Sequence, residues 1–156
     1  MSTTAEELAS LREHPFTRAL AEPQLERLFR CWALVQVAPG EFVFREGDRA
    51  ESLYLLRAGQ IALEQNVPGR GPVTMETLRG GDVLGFSWMF EDERWTLDAR
   101  AVEPTEMVAL DGACVRRQML EDPALGLAIA TQLVHQLYHR LERVRLQRLD
   151  VYRNAP

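Results

Sequence analysis

The chain has 156 residues, 46% of them hydrophobic, and a formal net charge of −5. That length supports one compact domain plus an appended helix and is short for two domains, and the negative balance offers no global positive field to a polyanion. No apolar run approaches the roughly 20 residues of a membrane span, so neither a nucleic-acid nor a membrane partner is expected. Cys31 and Cys114 lack the short spacing of a metal knuckle or redox pair, and nothing resembling a secretory signal precedes them. They predict two separate thiols in a reducing cytoplasm.

In chain order, the stretch to about Arg12 is polar with slight helical spacing (Leu8, Leu11), and Pro23 opens a short helix reaching to about Cys31, since proline suits a first helical turn. From Leu34 the texture changes to short β-branched or aromatic runs cut by Gly, Pro or Asp. The runs are Leu34–Val37, Phe42–Arg45, Ser52–Arg57, Gln60–Gln65, Val73–Leu78, Asp82–Leu84, Thr96–Val102 and Met107–Leu110. Such spacing predicts strands of a rolled or jelly-roll sheet rather than a parallel α/β fold.

After Asp111 a short helical segment (Gly112–Leu120) ends near Asp122-Pro123, and a long helix is predicted from Pro123 to Tyr152, with Asp122 as N-cap. Within it Ala130, Val134, Leu137, Leu141, Val144 and Val151 recur at spacings of four and three, interrupted by Arg148. This is an a/d seam. A helix of about 30 residues spans roughly 45 Å and overhangs so small a domain, so a homodimer through Val134, Leu137, Leu141, Val144, Arg148 and Val151 is expected. Three segments follow: an N-terminal helical segment (1–33), a β-roll (34–121) and a C-terminal dimer helix (122–156).

No catalytic constellation stands out. The sequence holds no Walker loop, dinucleotide glycine motif or nucleophile elbow, and Asp82, Asp98 and Asp111 fall at strand ends, where acids commonly cap turns. His135 and His139 form an i,i+4 pair without a suitably spaced third ligand, so a solvated helix face is expected and no metal. Arg140, Arg143, Arg145 and Arg148, interleaved with Glu142 and Asp150, are expected on an exposed face or as a surface for an acidic partner.

The segment Phe44-Arg45-Glu46-Gly47-Asp48, then Leu53-Tyr54-Leu55-Leu56 and Gly59-Gln60-Ile61, resembles the first half of the cyclic-nucleotide-binding domain of the catabolite-activator and regulatory-subunit superfamily. Gly81-Asp82-Val83-Leu84-Gly85 resembles the strand entering that family's phosphate-binding cassette. Ala99-Arg100-Ala101 and Met107-Val108-Ala109-Leu110-Asp111 resemble the last strands before its dimer helix. The likeness spans about residues 15–150. It implies a mainly β fold with α: an eight-stranded β-roll or jelly roll of the cyclic-nucleotide-binding type, short N-terminal helices and a long C-terminal dimerisation helix.

The resemblance also implies a site: a cassette whose short helix presents N–H groups to a phosphate while a Glu grips the ribose hydroxyl and an Arg neutralises the phosphate. By position the ligand-binding set is Gly85, Phe86, Ser87, Trp88, Arg94, Trp95, Thr96 and Arg100. The match departs at its two polar anchors. Phe86 stands at the ribose-Glu position and Trp95 at the phosphate-Arg position, with Arg94 displaced by one, which on a strand sends a side chain to the opposite face. Cyclic AMP or GMP is therefore not expected to bind in the family's usual manner. Arg94 reaches an anion only if the loop Glu91-Asp92-Glu93 bulges. Phe86, Trp88, Phe90 and Trp95 either fill the vacated pocket as core or line an apolar pocket that stacks on a base or nicotinamide.

The family's transcription factors continue past the dimer helix into a helix-turn-helix domain, whereas this sequence stops at Pro156, so DNA binding is not expected. A narrower likeness runs through Gly81–Phe90, Arg94-Trp95, Asp98–Ala101 and Leu110–Cys114. These stretches look like short, degenerate members encoded beside cytoplasmic hydrogenases, among them a small homodimeric subunit of the soluble NAD-reducing nickel–iron enzyme. That likeness implies a non-enzymatic accessory subunit, cytoplasmic, docked on an oxidoreductase, with NADPH or another nucleotide as its ligand. The alternative is a stand-alone sensor of a cyclic nucleotide or other small ligand, signalling to a protein partner without DNA.

Overall fold

A computed structural model describes residues 5–90 and 92–154. Two helices, α1 (Ala5–Glu13) and α2 (Glu22–Phe29), precede eight strands: β1 (Trp32–Val37), β2 (Phe42–Phe44), β3 (Ser52–Ala58), β4 (Gln60–Val67), β5 (Gly71–Arg79), β6 (Val83–Leu84), β7 (Asp98–Ala101) and β8 (Thr105–Asp111). Two more helices follow, α3 (Gly112–Glu121) and α4 (Pro123–Arg153). The strands form two four-stranded antiparallel sheets, ordered β1-β8-β3-β6 and β2-β7-β4-β5. Each expected strand is present, with its ends displaced by no more than two residues.

Period-two alternation divides the apolar residues between two cores. On β3, Leu53 and Leu55 face the helices, where they join Phe16, Leu28, Trp88, Val108, Val115 and Ile129. Leu56, with Tyr54 partly buried beside it, faces the roll interior among Phe44, Ile61, Leu63, Leu84, Trp95 and Met107. The first core takes residues from the N-terminal segment, the roll, α3 and α4 alike. Where β3 turns into β4, Gly59 has φ +100 and a side chain there would meet Thr105 at 2.4 Å, so no other residue fits without moving β8.

Asp111 caps α3 by accepting from the Cys114 N–H at 2.9 Å, and Asp122 caps α4 by accepting from the Leu125 N–H at 3.3 Å, with Pro123 opening the helix. On α4, Leu125, Ile129 and Leu133 are buried at i, i+4 and i+8. Beyond Leu133 the apolar residues emerge: Val134 is 65% exposed, Leu137 47%, Leu141 49%, Val144 42% and Val151 71%. Arg148 lies exposed on the same stretch. No helix among the described residues is long and apolar enough to cross a membrane.

Two expectations are corrected. Cys31 and Cys114 are joined in a disulfide across 83 residues of sequence, because the Cys31 carbonyl accepts from the Asp111 N–H at 2.8 Å and so brings the end of α2 against the start of α3. They are not separate thiols, and they lend no support to a reducing compartment, where such bonds are uncommon. Arg140 is not on an exposed face. It is half-buried, bidentate to Glu76 of β5 at 2.7 and 2.9 Å, and donates to the Val83 carbonyl at 3.1 Å.

Candidate functional site

The segment from Gly85 to Trp95 leaves β6, makes a single 3-10 turn at Ser87–Met89 and returns to β7. Gly85 has φ +97, and a Cβ there would lie 2.6 Å from the Trp95 ring. Only glycine lets the backbone cross this close to the indole. The turn is a single one, closed by the Met89 and Phe90 N–H groups donating to the Phe86 and Ser87 carbonyls, both at 3.1 Å.

The expected aromatic cluster is divided. Trp88 is fully buried in the core beneath the helices, its indole N–H donating to the Gly85 carbonyl at 3.0 Å. Trp95, 6% exposed, points the other way into the roll interior and stacks on Phe44 with ring centroids 4.0 Å apart and planes 9° from parallel. Phe86 is half-buried beneath the Arg140 guanidinium, 5.1 Å from its ring centre, and Phe90 is 65% exposed. One shared pocket for all four is therefore corrected: two fill separate cores, one sits under α4 and one faces solvent.

Strand parity separates the cations as well. Arg94 lies exposed beside the inward Trp95 and donates to the Gly47 carbonyl at 2.7 Å. The bulge imagined through Glu91 falls on a residue outside those described. Arg100 alternates with the interior Ala99 and Ala101 and so takes the outer face of β7, bidentate to the buried Glu64 at 2.7 and 3.1 Å. That carboxylate raises the already high Arg100 pKa through hydrogen bonding first and charge second. Ser87 is half-buried and Thr96 exposed.

What remains open at the mouth of the roll interior is a cleft of about 480 Å³. Phe44, Tyr54 and Trp95 form its apolar wall, while Ser52, Asp48, Glu51, Arg49 and Arg94 supply polar groups. Burial raises the Tyr54 pKa, opposed by a hydrogen bond with Ser52 and aided by the Glu51 charge, so the phenol is neutral and able to donate near pH 7. Arg49 is drawn aside to Asp92 at 3.3 Å. The cleft thus offers an aromatic wall, a phenol, two carboxylates and partly engaged cations.

Sequence reasoning missed the strut across this region. Arg140 reaches from α4 to Glu76, and Arg143 reaches to Asp82 at 3.2 and 3.4 Å. Partners 61 and 64 residues apart leave no local spacing to read. The available signal was a basic pair at i,i+3 on the helix, flanking a seam residue.

An antiparallel roll flanked by short helices, with a phosphate-cassette segment and a long C-terminal helix, defines a class of ligand-responsive modules. The chain belongs to the cyclic nucleotide-binding domain family, whose model matches residues 34–122. It is similar to the cyclic AMP receptor protein of Thermus thermophilus, 25% identical over 79% of this chain and 59% of that one. It is also similar to the anaerobic regulatory protein of Bacillus subtilis, 27% identical over 54% of this chain and 36% of that one. The chain therefore spans about a third to three-fifths of these two relatives.

Among solved structures, a putative cyclic nucleotide-binding protein from Geobacter metallireducens superposes with a TM-score of 0.78 at 24% identity, covering 89% of this chain and 99% of that one. DNR from Pseudomonas aeruginosa gives 0.74 at 24% identity, covering 94% and 65%. Those two likenesses establish the fold alone. The relatives named are regulators, and none of them supports the likeness to hydrogenase-associated members.

Proposed function

We propose that this chain is a non-enzymatic regulatory module that does not take up cyclic AMP or cyclic GMP in the family's manner and that signals to a protein partner as a homodimer. One observation carries the reading: Trp95, at the position where the resemblance puts a phosphate-binding arginine, is stacked on Phe44 inside the roll. A buried phosphate would meet an indole face where it needs a cation, and a ribose hydroxyl would meet Phe86 where it needs a carboxylate. The Arg140–Glu76 strut, with Arg140 over Phe86, ties α4 to the roll through protein groups. Association with an oxidoreductase and a role for NADPH rest on the sequence likeness of the cassette alone.

Leaving two ligand groups buried without partners costs about 1–3 kcal/mol each, more for the charged phosphate, which weakens binding by roughly two or more orders of magnitude. Calorimetric titration with cyclic AMP and cyclic GMP is expected to show no micromolar binding. A micromolar dissociation constant for either would overturn the proposal in favour of the second reading, a small-ligand sensor. The 480 Å³ cleft with Tyr54, Arg49 and Arg94 favours that reading.

A further inference from the structure

His135 and His139 stand one turn apart on α4, on the wall of an open cleft of about 500 Å³ that also includes Arg18, Asp82 and Glu142. Their rings meet edge to face, with planes at 89° and centroids 4.3 Å apart, which brings the two Nε2 atoms to 3.0 Å. Without an ion, one imidazole nitrogen must donate to the other.

An ion about 2.0–2.1 Å from each nitrogen would see the 3.0 Å pair at an angle of about 94°. That is a cis angle of a square-planar or octahedral site. A tetrahedral ion at the same bond length needs the nitrogens about 3.3 Å apart. Nitrogen ligands in tetragonal geometry suit copper(II) and nickel(II). The opposite nitrogen of His139, Nδ1, lies 3.8 Å from Glu142 Oε2, beyond hydrogen-bond distance, so that carboxylate contributes negative charge beside the pair and does not fix the ring.

We propose that His135 and His139 bind one copper(II) or nickel(II) ion per chain through their Nε2 atoms, with water in the remaining positions. Among the described residues no group of three or more His, Cys, Asp or Glu is arranged to hold a metal ion, so protein supplies two ligands and the site stays open to solvent. The site is independent of the cleft in the roll. It is independent of the seam too, because with Val134 and Leu141 at a positions the two histidines take b and f, facing away from a partner helix. Its place on α4 is specific: the helix leaves the core after Leu133 and is gripped again at Arg140, and the ion clips the free turn between.

Untagged chain with its disulfide intact would be titrated with nickel(II), copper(II) and zinc(II) by calorimetry at neutral pH in a non-chelating buffer. One equivalent is expected to bind in the micromolar range, with copper tightest and zinc weaker than nickel. His135→Ala and His139→Ala are each expected to weaken binding by about tenfold or more, and their metal-free melting curves should match the parent, alanine being a good helix former. Absence of binding below millimolar metal, or unchanged affinity in both variants, overturns the site. Zinc binding tightest overturns the tetragonal assignment.

Discussion

Trp95 serves two elements at once. Its face packs on Phe44 in the roll interior and its edge meets the Gly85 backbone, so one side chain sets both the core volume and the path of the cassette. Trp95→Ala is expected to lower unfolding free energy by about 3–5 kcal/mol, read from the midpoint of a urea transition, with oligomeric state unchanged. A loss below about 1 kcal/mol coupled to loss of partner binding would instead make the indole a contact surface. The opposed directions of Arg94 and Trp95 were legible in the sequence, because neighbours on an extended segment take opposite faces. The separation of Trp88 from Trp95 was not. Both are apolar rings in one short segment, and only the 3-10 turn between Phe86 and Phe90 decides which core each enters.

At the scale of elements, strand and helix positions follow from local chemistry, whereas their fastening does not. Asp111 and Asp122 cap the helices that begin after them, and such caps are written in adjacent residues. The Cys31–Cys114 bond closes a loop of 83 residues between α2 and α3, and its partners can be paired only once β1 and β8 lie side by side. In the chain-entropy account a closure of this length stabilises by about 4–5 kcal/mol, with about 2–5 kcal/mol observed for native bonds. Cys31→Ser, or reductant added to the parent, is expected to lower the urea midpoint accordingly. Identical midpoints with and without reductant would show that the bond contributes nothing to the folded state.

At the scale of the whole molecule, α4 docks on the first core by Leu125, Ile129 and Leu133 and then carries an apolar stripe into solvent. Burial against a second copy would return about 1.5–3 kcal/mol per large side chain, while a carboxylate placed there without a partner adds a further penalty. The combined change Leu137→Asp and Leu141→Asp is expected to convert a dimer to a monomer in light scattering while leaving the roll folded, since both residues are about half exposed within one chain. A dimer that survives both changes would place the contact elsewhere.

The sequence by itself determined the strand count, the helix starts and the overhanging helix. Each of these depends on residue type and spacing within a few positions, where hydrophobic period, capping and strand parity act. Tertiary structure decided the disulfide, the Arg140–Glu76 strut, the outer-face pairing of Arg100 with Glu64 and the division of the aromatic residues between two cores. Those join positions 36 to 83 residues apart. No local period encodes such a distance; it is set by which sheet edges and helix faces meet when the apolar surfaces are buried together.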